Sequence, residues 1–111
     1  MIKNFEYKIP FGSTESFTTV LECVDEVSDW ELVISDKKAG VIEWKQKSLL
    51  GLLVSRIRIY LREPRPKDTL LTIYVHRPFL IVDPLKSCEK PYTILAAKLN
   101  EKVQKRNERG L

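Results

Sequence analysis

The stretch Ser55-Arg56-Ile57-Arg58-Ile59-Tyr60-Leu61-Arg62 alternates strictly, with Ile57, Ile59 and Leu61 on one side and Arg56, Arg58, Tyr60 and Arg62 on the other. That two-residue period predicts a half-buried strand whose second face carries guanidinium groups around a phenol ring. Arginine forks match the geometry of phosphate and carboxylate, and tyrosine rings offer flat surfaces for stacking bases. The run Leu71, Ile73, Val75 predicts a strand whose other side shows Thr72, Tyr74 and His76, and Glu43 and Lys45 take the same place beside Ile42 and Trp44. The candidate binding residues are therefore Lys45, Arg56, Arg58, Tyr60, Arg62, Tyr74 and His76. Three readings fit them: a solvated face in which Glu43 and Thr72 break up the field, an interface for a protein or a second copy, and a surface for single-stranded nucleic acid or another polyanion. Arg and Tyr are favoured at protein interfaces.

The remaining chemistry-bearing residues support plainer roles. Cys88 stands between Lys86 and Lys90, a setting that stabilises a thiolate, but a nucleophile also needs a base and an orienter, and neither is readable. Cys23, between Val20 and Val24, reads as a half-buried helix residue. His76 is the single histidine, so a metal site would need Cys and carboxylate spacings that do not occur. Asp83 before Pro84 suffices as a turn. The four glycines, at positions 12, 40, 51 and 110, form no phosphate-cradling loop. No catalytic, cofactor or metal residue is assigned, and the expectation is a non-enzymatic protein.

These residues sit in a chain of 111 residues, 43% hydrophobic and 31% charged, which fits one α+β domain over 1–111 with an ordinary core. Two cysteines do not make a disulfide-stapled scaffold, and both are expected as reduced thiols. The amino-terminal residues lack the apolar run of a leader, and the longest apolar stretch, Leu49 to Val54, is too short to cross a bilayer. A cytoplasmic protein is the expectation. Charge is uneven: residues 1–55 hold six Lys/Arg against nine Asp/Glu, and residues 56–111 hold thirteen against six. That asymmetry suits an anionic partner for the second half.

The elements follow from periodicity. Phe5, Tyr7 and Ile9 alternate up to Pro10, which removes a ladder donor. Ser13 is the expected cap of a helix with Phe17, Val20, Leu21 and Val24 on its core side. Trp30, Leu32 and Ile34 predict a strand facing one way, Asp36 to Gly40 a hairpin connection, and Ile42 and Trp44 the returning strand. The strand Ser55 to Arg62 is expected to stop at Pro64 and Pro66, and the Leu71 to Val75 strand at Pro78. The segment Leu49 to Val54 reads as a strand extension or as a contact surface. Beyond Phe79 to Val82, the positions Ile94, Leu95, Leu99 and Val103 predict a final helix with Lys98, Lys102, Lys105 and Arg106 on its solvent side, and a basic tail fraying from about Asn107.

Strand, helix, four strands and helix (β-α-β-β-β-β-α) suit an antiparallel sheet of about five strands with both helices on one face. This order is similar to that of TATA-binding-protein-like domains. The run Asp36 to Ile42, the alternating strands and the Asp-containing turn before the last helix also resemble a family of small uncharacterised bacterial proteins. The resemblance implies a fold, not a function. The leading expectation is a small binding or assembly module that self-associates or takes a protein partner through the exposed sheet face. The alternative is nucleic-acid binding through the same Arg and Tyr residues.

Overall fold

The structure, a computed structural model, describes residues 2–47, 54–77 and 89–109. Leu49 to Leu53, the connector Phe79 to Val82, the Asp83-Pro84 turn and Cys88 lie outside the described residues. The elements are β1 (Ile2–Ile9), α1 (Ser13–Glu26), β2 (Trp30–Asp36), β3 (Val41–Lys47), β4 (Val54–Arg65), β5 (Asp68–His76) and α2 (Glu89–Arg109). All five strands join one antiparallel sheet in the order β1-β5-β4-β3-β2. Short connections link β2 through β5 as neighbours. β1 instead closes onto β5, and α1 carries the chain from one edge of the sheet to the other.

Alternation decides which sheet face is covered. Ile42 and Trp44 of β3, Ile57 and Ile59 of β4, and Leu71, Ile73 and Val75 of β5 are all buried and share one cluster with Phe17, Val20, Cys23 and Val24 of α1 and Leu95 and Leu99 of α2. Each large side chain so buried contributes roughly 1.5–3 kcal/mol. Both helices therefore lie on one face, and the opposite face of the sheet carries no described element.

Turns hold the strands in register. Gly40 adopts φ +67°, the left-handed region that its missing Cβ allows, and its carbonyl accepts the Leu61 amide at 2.8 Å. Asp36 Oδ1 accepts the Ala39 N–H at 3.0 Å inside the same connection. β4 runs on through Pro64 to Arg65, beyond the expected stop, because the register shifts between Arg62 and Arg65 and relieves the ladder of the donor that proline lacks. Pro66 and Lys67 then close the β4–β5 hairpin, with Lys67 at φ 65°, a left-handed conformation uncommon for a residue other than Gly or Asn.

Other expectations are corrected. Trp30, Leu32 and Ile34 do not share a face, since a bulge between Leu32 and Ile34 pairs Ile34 with Glu43 and turns it to the open side. Gly12, not Ser13, is the N-cap, without a side-chain cap bond; Ser13 donates its backbone N–H to Glu63 Oε1 at 2.5 Å, placing a carboxylate at the positive end of α1. Ile94 is exposed rather than core-facing.

Lys98, Lys102 and Arg106 turn toward α1 instead of solvent. Lys102 Nζ meets Glu26 at 2.6 Å, Lys98 meets it at 3.4 Å, and Arg106 lies 3.5 Å from Glu15. The hydrogen bond from Lys102 holds the Glu26 carboxyl below its ordinary pKa, and Glu26 in turn raises that of Lys102. The expected Glu101–Lys105 pair forms at 3.0 Å.

Cys23 is fully buried beneath this seam, not half-buried, and burial pushes its thiol up to about 12. A thiol so placed stays protonated and inert at neutral pH. In the native protein at pH 8, Cys23 is expected to escape iodoacetamide and to be labelled only after denaturant is added, as read by peptide mapping. Fast native labelling would show instead that the two helices separate readily.

Candidate functional site

Strand register arranges the open face in cross-strand rows. One row reads Ile2, His76, Arg56, Lys45, Glu31 from β1 to β2. The next reads Asn4, Tyr74, Arg58, Glu43, Ile34, and the third Glu6, Thr72, Tyr60, Val41, Asp36. Lys8, Leu70 and Arg62 begin a fourth. Directly opposed side chains in such rows stand about 4.5–5.5 Å apart at Cβ. The seven candidate residues Lys45, Arg56, Arg58, Tyr60, Arg62, Tyr74 and His76 thus share one face, and three strands supply them. Arg62 lies farthest from the rest, toward the β4–β5 hairpin.

The middle of this face is a shallow depression of ≈ 430 Å³ lined by Ile2, Glu43, Arg56, Arg58, Tyr60, Tyr74 and His76. Tyr60 and Tyr74 meet edge to face, with ring centroids 5.8 Å apart and planes at 85°, a favoured geometry for aromatic quadrupoles. Both rings stay well exposed, at 40% and 36%, and Ile2 is exposed at 65%, so an apolar surface stands ready beside the cations.

Arg58 is tied down within the chain. Its Nε donates to Glu43 Oε1 at 2.7 Å and its Nη1 to the Tyr60 hydroxyl at 3.1 Å, and the bonds to Tyr60 and Glu43 raise its already high pKa. Glu43 is only 6% exposed, so its carboxylate depends on this guanidinium for compensation. Arg58→Met is therefore expected to destabilise the protein more than Arg58→Met combined with Glu43→Gln, because the single change strands a buried carboxylate. Urea midpoints of the single and double variants measure the coupling; equal losses would remove the dependence of Glu43 on Arg58.

Arg56 is different. Among the described residues it forms no ion pair, and its row neighbours His76 and Lys45 are themselves basic. Sequence reasoning missed Ile2 and Ile34 on this face. Ile2 arrives only through the long-range β1–β5 pairing, and Ile34 only through the bulge, so neither left a local signal.

On the covered side, Trp30 and Trp44 pack with ring centroids 5.0 Å apart. Their indole N–H groups and the Gln46 amide oxygen are buried without a hydrogen-bond partner among the described residues. Among those residues no group of three or more His, Cys, Asp or Glu side chains is placed to hold a metal ion, and no helix is long and apolar enough to cross a membrane.

No family model matches the sequence, and no curated protein matches it. Solved structures do share its fold. An uncharacterised protein from Bacillus thuringiensis matches with a TM-score of 0.62 at 9% identity, over 90% of this chain and 94% of that one. Norcoclaurine synthase from Thalictrum flavum, as a point mutant in complex with a transition-state analogue, matches with a TM-score of 0.65 at 10% identity, over 96% of both chains. The di-domain ARO/CYC protein StfQ of the steffimycin biosynthetic pathway matches with a TM-score of 0.70 at 10% identity, over 96% of this chain and 46% of that one. At such identities the likeness is one of fold. Of the three, the norcoclaurine synthase is described with a bound transition-state analogue and the Bacillus thuringiensis protein as uncharacterised.

Proposed function

We propose that this protein is a binding module that engages a protein partner through the open face of its sheet. One observation carries the reading: a basic strip with an aromatic centre is interspersed with carboxylates and bordered by them along edge strand β2. Lys45, Arg56, Arg58 and Arg62 occupy β3 and β4, whereas Glu31 and Asp36 stand on edge strand β2, and Glu6 shares edge strand β1 with Lys8. A polyanion leaving the strip across β2 passes an acidic residue, and Arg58 is already neutralised by Glu43. Interspersed charges around Tyr and Arg anchors are what a protein interface uses. The neighbour that holds a transition-state analogue shows what the scaffold supports in that protein. In this chain Leu95 and Leu99 are fully buried against the sheet core, which favours the outer face over the interior.

The test is site-specific photo-crosslinking in the native cell, with benzoylphenylalanine in place of Tyr74 and, as control, in place of the exposed Ile94 on α2. A defined protein adduct is expected from position 74 and not from position 94. An adduct of the monomer's doubled mass identifies a second copy, which light scattering over a concentration series then checks. An adduct lost to nuclease moves the assignment to nucleic acid, and no adduct at all removes the reading.

Nucleic acid is the second reading, favoured by Arg56, Arg62 and Lys45 beside two exposed tyrosines. It requires oligonucleotide affinity that falls steeply with salt, with a shallower slope in an Arg56→Ala, Arg62→Ala variant. Those two arginines are the informative pair, since Arg58 is held by Glu43.

A further inference from the structure

The depression on the open face has a composition that specifies what enters it. Its apolar part is aromatic and aliphatic, from Tyr60, Tyr74 and Ile2, and the two rings already meet edge to face, leaving further ring surface accessible. A third ring placed there gains offset or edge contacts as well as burial. Its charged part is Arg56, with His76 beside it on β5 and Lys45 beside it on β3. Two cations, Arg56 and Lys45, stand abreast there beside the His76 imidazole, whereas the Arg58 guanidinium in the next row is matched by Glu43. A single carboxylate arriving at Arg56 relieves that crowding and takes up a planar fork suited to bidentate pairing. Glu31 and Asp36 on β2, with Glu43 beside Arg58, leave the Arg56 and His76 side of the depression as the place for added negative charge. A compact anionic group fits, and a long chain of phosphates running toward β2 meets carboxylates.

Resting on the protein-binding reading above, we propose that the partner anchors through an aromatic side chain with a carboxylate on the adjacent residue, the ring against Ile2, Tyr60 and Tyr74 and the carboxylate at Arg56. The volume of ≈ 430 Å³ falls within the range of about 300–1,000 Å³ typical of sites that enclose small groups, enough for one such pair. The partner is a different protein rather than a second copy. Among the described residues the exposed aromatics are Tyr60 and Tyr74, and their chain neighbours Ile59, Leu61, Ile73 and Val75 are all apolar. Phe5 and Tyr7, beside Glu6, are part-buried against the core, so no well-exposed aromatic among this chain's described residues presents the motif that its own depression selects.

The test is an NMR titration of isotope-labelled protein with two peptides, Ac-Ser-Phe-Asp-Ser-NH₂ and its isosteric counterpart Ac-Ser-Phe-Asn-Ser-NH₂. The Asp peptide is expected to shift the ring signals of Tyr60 and Tyr74 and the side-chain signal of Arg56, with the Asn peptide about threefold weaker, roughly what loss of one solvent-exposed ion pair predicts. Arg56→Gln is expected to erase the difference between the peptides while leaving the ring contact. An Arg62→Gln control on the same strand is expected to preserve it. Equal affinity for the two peptides, or shifts confined to other parts of the surface, overturns the proposal. If neither peptide binds while position 74 still crosslinks to a protein, the anchor chemistry is wrong and the protein-binding reading stands. Without a protein adduct at position 74, both fall together.

Discussion

Ile59→Ala is expected to lower the free energy of unfolding by about 2–5 kcal/mol, whereas Arg56→Ala on the same strand is expected to change it by about 0.5 kcal/mol or less. The contrast follows from the pleat. Ile59 is fully buried in the middle of the sheet, flanked by Ile42 on β3 and Ile73 on β5, so truncation removes apolar contacts and leaves a cavity among side chains that neighbouring strands hold in place. Arg56 projects to the open face, where solvent replaces what is removed. Denaturant midpoints with unchanged m-values measure both effects. A small loss for Ile59→Ala would mean that the helices settle onto the gap. A large loss for Arg56→Ala would mean that the open face is covered in the folded protein, which would end the proposal that it receives a partner.

Gly40→Val is expected to be comparably damaging, at about 2–5 kcal/mol, combining the cost of a left-handed conformation with that of overpacking. At φ +67° an added Cβ would stand 2.8 Å from the Leu61 carbonyl oxygen, a backbone atom that cannot swing aside. The same glycine accepts the Leu61 amide through its own carbonyl, so yielding at this point pulls β3 from β4 and disturbs the row of candidate residues those strands share. Losses are expected in the order Val, then Ala, then Asn: branching makes Val worst, and Asn tolerates positive φ better than Ala while meeting the same oxygen. Thermal unfolding of the three variants reads this order. Ala equal to wild type would show that the connection relaxes away from Leu61. Gly12 offers a comparison, since an added Cβ there meets only the Glu63 side-chain oxygen at 3.1 Å, which can move.

Much of this architecture is written locally. The alternation at Ile57, Ile59 and Leu61 and at Leu71, Ile73 and Val75 identifies two strands and their buried sides without reference to any partner, because successive side chains of a strand point to opposite faces. The same alternation names the open-face set from Lys45 to His76. Where local reading went astray, a contact distant in sequence intervened. Ile34 follows the alternation of Trp30 and Leu32, yet the bulge against β3 turns it outward. Lys98, Lys102 and Arg106 have the spacing of a solvated helix side, yet Glu15, Glu22 and Glu26 on α1 claim them. Ser13 has the chemistry of a helix cap, yet Glu63, fifty positions away, supplies the carboxylate.

The sequence by itself determined the type and order of the strands and helices, and which side chains of β3, β4 and β5 face the core, since these depend on neighbours within a few residues. Only the tertiary structure decided the strand order and what stands beside what on the open face. It placed β1 next to β5, brought Ile2 to the tyrosines, neutralised Arg58 with Glu43, and left Arg56 between two other basic groups. The reason is physical: register across strands fixes side-chain neighbours at about 5 Å, whereas the residues so joined lie tens of positions apart along the chain and carry no mark of one another.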